Sequence, residues 1–186
     1  MELLEGENLA ERLSIRGALD LTKSCHIVAQ ALAGLGAVHE SNIIHRDLKP
    51  DNIFLTPGGV KLVDFGISKT IDENTMSLTR TGVVVGTPYY LAPEQARGQR
   101  DIDHRVDLWS AGVVLYECLT GMLPFHAGNY NALLAKILSV RPEPPSSLRP
   151  AIGEGLDRVV MKALAFSPDD RYQSALEMKE AVEKAA

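Results

Sequence analysis

The sequence predicts a mainly α domain with a small β hairpin, and three observations carry that reading. Apolar residues recur at helical spacing over long stretches. Two short apolar runs flank the turn Thr56-Pro57-Gly58-Gly59. About six helical segments stand against these few strand residues.

In chain order, residues 1–4 suit a short strand and 8–13 one or two helical turns. Over 18–40 the pattern is a strong helix. Leu21, Cys25, Val28, Leu32 and Leu35 recur at steps of four, three, four and three, which is one apolar face. Gly34 and Gly36 weaken its last part. A polar, charged loop over 42–52 leads into Ile53-Phe54-Leu55 and Val60-Lys61-Leu62-Val63, the two arms of the hairpin. Residues 64–91 hold Gly, Ser, Thr, Asp and Asn with little periodicity, and so long a loop in a compact domain is functional or disordered. Near Asp107 an apolar helix begins. Between 108 and 125 the only charge is Glu117, which approaches the composition of a membrane span. Gly112, Glu117, Gly121 and Pro124 interrupt it, and a helix apolar on all sides also suits the centre of a soluble domain, so a buried helix is expected. Asn129 caps a helix reaching about Val140, with Leu133, Leu134, Ile137 and Leu138 on one face. Four prolines mark 141–150 as a connector. Helices over 155–165 and 171–184 follow, the last with Ser167 or Asp169 before it as a start.

Composition bounds the function. With 186 residues, 45% apolar and 23% charged, the chain has the size and usage of one globular domain. Its 19 basic and 24 acidic residues leave a net charge of −5, with no long block of one sign, which argues against a general nucleic-acid binder. Cys25 and Cys118 alone make neither a disulfide framework nor a zinc site. Glu2, Glu5 and Glu7 leave no basic stretch for a secretory signal. A reducing, cytoplasmic location is expected, with no membrane segment in this chain.

The chemistry concentrates in His45-Arg46-Asp47-Leu48-Lys49-Pro50-Asp51-Asn52. Asp47 can accept a proton from a hydroxyl. Lys49 can neutralise charge on a transferring phosphoryl group. Asn52 offers an amide oxygen to a hard cation such as Mg²⁺. Twelve residues later comes Asp64-Phe65-Gly66, in which Asp64 supplies a second oxygen ligand. Taken singly, Asp47 is a surface carboxylate, Lys49 a solvated cation, and Asn52 and Asp64 are turn residues. Their order and spacing favour the joint reading.

These motifs resemble a eukaryotic-type protein serine/threonine kinase of the bacterial branch, specifically its large C-terminal lobe. The first stretch matches H-R-D-L-x-x-x-N, the second D-F-G, and Gly86-Thr87-Pro88-Tyr89-Tyr90-Leu91-Ala92-Pro93-Glu94 contains A-P-E. Glu94-Gln95-Ala96-Arg97-Gly98 and Gly121-Met122-Leu123-Pro124-Phe125 resemble the bacterial kinases. The resemblance covers nearly all of 1–186. It implies a hinge at 1–6, a catalytic loop at 45–52 and an activation segment at 64–94. It implies ATP and Mg²⁺ as cofactors and a protein bearing Ser or Thr as substrate. Asp47 would be the catalytic base, Lys49 would contact the γ-phosphate, and Asn52 and Asp64 would hold the metal. Thr87 would support Asp47 and Lys49. Glu2 and Leu4, in the hinge, would meet adenine. Thr79 and Thr81 would accept a regulatory phosphate that Arg46 reads. Glu94 would pair with Arg171, and Asp107 would brace the catalytic loop; both roles are structural.

The departure from the family is the smaller lobe. No G-x-G-x-x-G and no V-A-I-K lysine occurs in the 186 residues. The N-terminal lobe is therefore expected to be absent or separate, as in a fragment or a start codon placed too far downstream, and activity of this chain alone is expected to be weak or nil. The alternative is a non-catalytic docking or regulatory module built from a kinase lobe.

Overall fold

The computed structural model describes residues 5–64 and 88–186. The expected strand at 1–4, with Glu2 and Leu4, lies outside the described residues, as do Phe65, Gly66, Thr79, Thr81 and Thr87. Among the described residues the fold is eight helices around one core, with a three-stranded antiparallel sheet at one side.

The sheet is larger than the expected hairpin. Strands β2 (Ile53–Thr56) and β3 (Gly59–Leu62) pair across Pro57-Gly58, with Ile53 opposite Leu62 and Thr56 opposite Gly59. A further strand, β1 (Glu7–Asn8), pairs with the other edge of β2. Two residues are too few to show a strand period, so β1 leaves no trace in the pattern.

Helix α1 (Leu9–Arg16) follows directly, because Asn8 and Glu11 form a capping box. The Asn8 side chain accepts the Glu11 N–H at 2.8 Å, and the Glu11 carboxylate accepts the Asn8 N–H at 3.1 Å. Helix α2 (Leu21–Glu40) starts at the Asp20 cap, three residues after the expected position. Its Cys25, Val28, Leu32 and Leu35 are buried on the expected face, against α4 and α8.

Helix α3 (Pro93–Ala96) is a single turn. Helix α4 (Arg105–Thr120) is the axis of the molecule, with 13 of its 16 residues buried. It takes up the apolar stretch that approaches a membrane span in composition. Among the described residues no helix is long and apolar enough to cross a membrane. Trp109 of α4 stacks on Phe125 with centroids 6.1 Å apart. Gly121 ends α4 at φ 72, and a Cβ there would lie 2.7 Å from the Ala18 nitrogen, so only glycine fits.

Asn129 caps α5 (Tyr130–Ser139), accepting the Ala132 N–H at 2.9 Å. The proline-rich connector contains one helical turn, α6 (Pro145–Leu148). Helix α7 (Gly153–Ala163) packs on α4. Helix α8 (Ala175–Ala185) is capped by Ser174, four residues after the expected start at Arg171. Ser167 precedes only a 3₁₀ turn at Pro168–Asp170.

Two glycines with opposite surroundings give a stability test. A Cβ on Gly112 would lie 2.7 Å from the Ala163 Cβ and 3.2 Å from Leu164, because α4 and α7 touch there. Gly112→Ala is expected to destabilise by about 1–3 kcal/mol through overpacking. A Cβ on Gly36 would meet Ala175 at an ordinary 3.9 Å, within α2. Gly36→Ala is expected to stabilise by about 0.5–1 kcal/mol through lower chain entropy in the unfolded state. Urea midpoints of the two variants should move in opposite directions.

Candidate active site

The site is assembled where α2, the β2–β3 hairpin and the first turn of α4 converge. Asp107, on the first turn of α4, is fully buried. One carboxylate oxygen accepts the Arg46 N–H at 2.8 Å. The other accepts the His45 N–H and bonds His39 Nε2, each at 2.8 Å. A buried carboxylate with three hydrogen bonds fixes the loop that reaches it.

That fixing matters because the loop is strained. Arg46 sits at φ 63 and Asp64 at φ 53, both left-handed and neither a glycine. Such conformations cost on the order of 1–3 kcal/mol each and persist where the surroundings over-determine them. Around Arg46 the determinants are Asp107 on its N–H and Gln95, whose Nε2 donates to the Arg46 carbonyl at 3.2 Å.

Beyond Arg46, Asp47 is half-buried, with its carboxylate 3.2 Å from Lys49 Nζ. Asn52 is buried in a short 3₁₀ turn and points its amide nitrogen at Asp47, 2.8 Å from the carbonyl and 3.4 Å from the carboxylate. Its side-chain oxygen is then the atom turned to other partners. The Val63 N–H donates to the Asn52 carbonyl at 3.0 Å, extending the hairpin ladder by one pair, and Asp64 follows Val63 at the open end of the hairpin. The fold thus gathers Arg46, Asp47, Lys49, Asn52, Asp64 and Asp107 around one loop.

Asn52 and Asp64 fit a hard cation in donor chemistry, since both present oxygen. Among the described residues no group of three or more His, Cys, Asp or Glu side chains is arranged to hold a metal. Two protein oxygens are what Mg²⁺ takes when phosphates and water complete its shell.

Glu94, on α3, and Arg171, before α8, form a buried bidentate pair at 2.7 and 2.8 Å. Arg171 is 1% exposed, and its guanidinium lies 5.0 Å from the Trp109 ring. Tyr90 donates to Glu117 at 2.6 Å, and burial pushes the Glu117 carboxyl above its usual range. Tyr90 and Gln95 lie inside the motifs without a role assigned to them, and His39 and Glu117 lie outside the motifs.

A protein kinase domain family model matches residues 1–184. The chain belongs to the protein kinase family. It is 41% identical over 184 residues to serine/threonine-protein kinase pkn3 of Myxococcus xanthus, covering 94% of this chain and 34% of that protein. To serine/threonine-protein kinase PknB of Mycobacterium tuberculosis it is 40% identical over 180 residues, covering 96% and 29%. The chain thus spans about a third of the length of these curated relatives. Among solved structures, a point mutant of the PknI kinase domain of Mycobacterium tuberculosis matches with a TM-score of 0.75 at 26% identity, over 100% of this chain and 64% of that one. The large-lobe kinase fold expected from the motifs is the fold found.

His45 gives the kinase loop a pH dependence. Its ring is buried, with Nε2 3.2 Å from the Val63 carbonyl. Burial holds its pKa below the ordinary histidine value, and the Asp107 charge opposes that shift only in part. A folded pKa below the unfolded one, about 6.5, means that the unfolded chain binds the proton more readily. The contribution of neutral His45 is present above about pH 6.5 and is lost as pH falls below it toward the folded pKa. Thermal melts from about pH 7.5 to about pH 5.5 should show wild type losing more stability than His45→Gln, which keeps a donor for Val63 and does not titrate.

Proposed function

We propose that this chain carries the catalytic loop for transfer of the γ-phosphoryl group of ATP to serine or threonine hydroxyls of proteins. The observation that carries the reading is the Asp107-held loop, which sets Asp47 3.2 Å from Lys49 and within 3.4 Å of Asn52. Asp47 accepts the proton of the attacking hydroxyl. Lys49 faces the charge that builds on the phosphoryl oxygens. Asn52 and Asp64 hold Mg²⁺, which when bound neutralises phosphate charge. Arg46 reads a phosphate on Thr79 or Thr81, Thr87 supports Asp47, and the hinge residues Glu2 and Leu4 meet adenine. The reaction belongs in the cytoplasm, where ATP is available.

The 186 residues hold no glycine-rich loop or V-A-I-K lysine to cover and place the α- and β-phosphates. Weak or no transfer is therefore expected from this chain alone, and stronger transfer from its fusion to a kinase small lobe. The test is transfer of labelled γ-phosphate to serine/threonine and tyrosine peptide libraries, with and without Mg²⁺. Mg²⁺-dependent label on serine or threonine supports the reading. Label on tyrosine alone overturns the specificity. No transfer by either the chain or the fusion favours the docking-module alternative.

A further inference from the structure

We propose that Gln95 is a positioning residue for Asp47, an inference that rests on the phosphotransfer reading. Its amide is used at both ends. Oε1 accepts the Ala92 N–H at 3.0 Å, which caps α3, and Nε2 donates to the Arg46 carbonyl at 3.2 Å. The cap alone needs only an acceptor. The second bond spans 49 residues of sequence and requires a donor. Glutamate has no donor at neutral pH and lysine no acceptor, so the pair of bonds selects an amide of glutamine length.

The carbonyl chosen is the informative part. Arg46 C=O and Asp47 N–H belong to one rigid peptide plane. Turning that plane swings the bond from the Asp47 Cα to its side chain. On the other side of Arg46, Asp107 holds the N–H groups of His45 and Arg46. Asp107 and Gln95 therefore clamp the two planes flanking a residue at φ 63. Without the Gln95 clamp the 46–47 plane is free to turn as Arg46 relaxes toward negative φ. Gln95 is itself anchored, since the neighbouring Glu94 is tied to Arg171 in the core. The aim of Asp47 is thereby coupled to the turn that opens α3.

The test compares wild type with Gln95→Glu, which keeps the acceptor for Ala92 and removes the donor to Arg46, and Gln95→Leu, which removes both. Amide hydrogen exchange of His45 and Arg46 is expected to be about tenfold faster in both variants, with exchange in the α2 core unchanged. Ala92 should loosen only in Gln95→Leu. In phosphate transfer both variants should lose kcat by about tenfold or more at unchanged KM for ATP. Unchanged exchange at His45 and Arg46 in Gln95→Glu overturns the proposal, as does a rise spread evenly over the whole chain. If neither wild type nor its fusion to a kinase small lobe transfers phosphate, the phosphotransfer reading fails, and the exchange result still decides whether Gln95 holds the loop.

Discussion

Asp47→Asn is expected to lower phosphate transfer by about 10²–10⁴-fold while leaving the fold in place, the range for losing a positioned general base. The asparagine keeps the size and one oxygen of the carboxylate but cannot take up the hydroxyl proton. The Asp47 side chain is 25% exposed, and its pairing with Lys49 is therefore worth little to stability. The melting temperature should change little, and ATP binding should survive, because the proposed metal and phosphate contacts lie on Asn52, Asp64 and Lys49. Loss of transfer with retained nucleotide binding and retained melting temperature is the combination that identifies a base. Transfer surviving at wild-type rate in the variant would remove Asp47 from that role. A docking module would bind its partner equally well with either residue, so the same variant separates the two readings of this chain.

Legibility in the sequence follows the range of the interactions. The buried face of α2 is readable because it repeats every three or four residues within one helix. The pattern places the start of α2 three residues early because the Asp20 cap, one hydrogen bond, outweighs the helical preference of Ala18 and Leu19. The start of α8 is misplaced for a longer-range reason. Arg171 looks like a solvated helix residue, yet its guanidinium is buried against Glu94, 77 residues earlier, and the chain stays extended there to deliver it. The site shows the same division. Asp47, Lys49, Asn52 and Asp64 stand out through order and spacing alone. His39 and Gln95 do not, because each acts through a partner 68 or 49 residues away. The left-handed Arg46 is equally hidden, since no glycine advertises it and only the clamps explain it.

Arg171→Ala is expected to be the most destabilising single change considered, by about 3–5 kcal/mol, because it leaves the Glu94 carboxylate buried without its partner. The geometry makes this pair more than an ion pair. A guanidinium has five N–H donors, and all five are engaged. Nε donates to the Ala165 carbonyl, one terminal nitrogen to Glu94 and the Arg105 carbonyl, and the other to Glu94 and the Phe166 carbonyl. Arg171→Lys should therefore also fail, since three donors cannot serve five acceptors. Glu94→Gln keeps the shape but leaves the guanidinium charge uncompensated, and should cost about as much as the alanine change. The double variant Glu94→Gln/Arg171→Met removes both charges and should recover part of the loss. Full recovery is not expected, because the bonds that Arg171 donates to the carbonyls of Arg105, Ala165 and Phe166 would still be lost. A cycle of urea midpoints measures this directly. A coupling energy near zero, or a Glu94→Gln variant as stable as wild type, would mean that α3 is held by packing alone. The expected coupling makes Glu94 and Arg171 the tie that carries the α3 turn, and Gln95 with it, on the buried axis of α4.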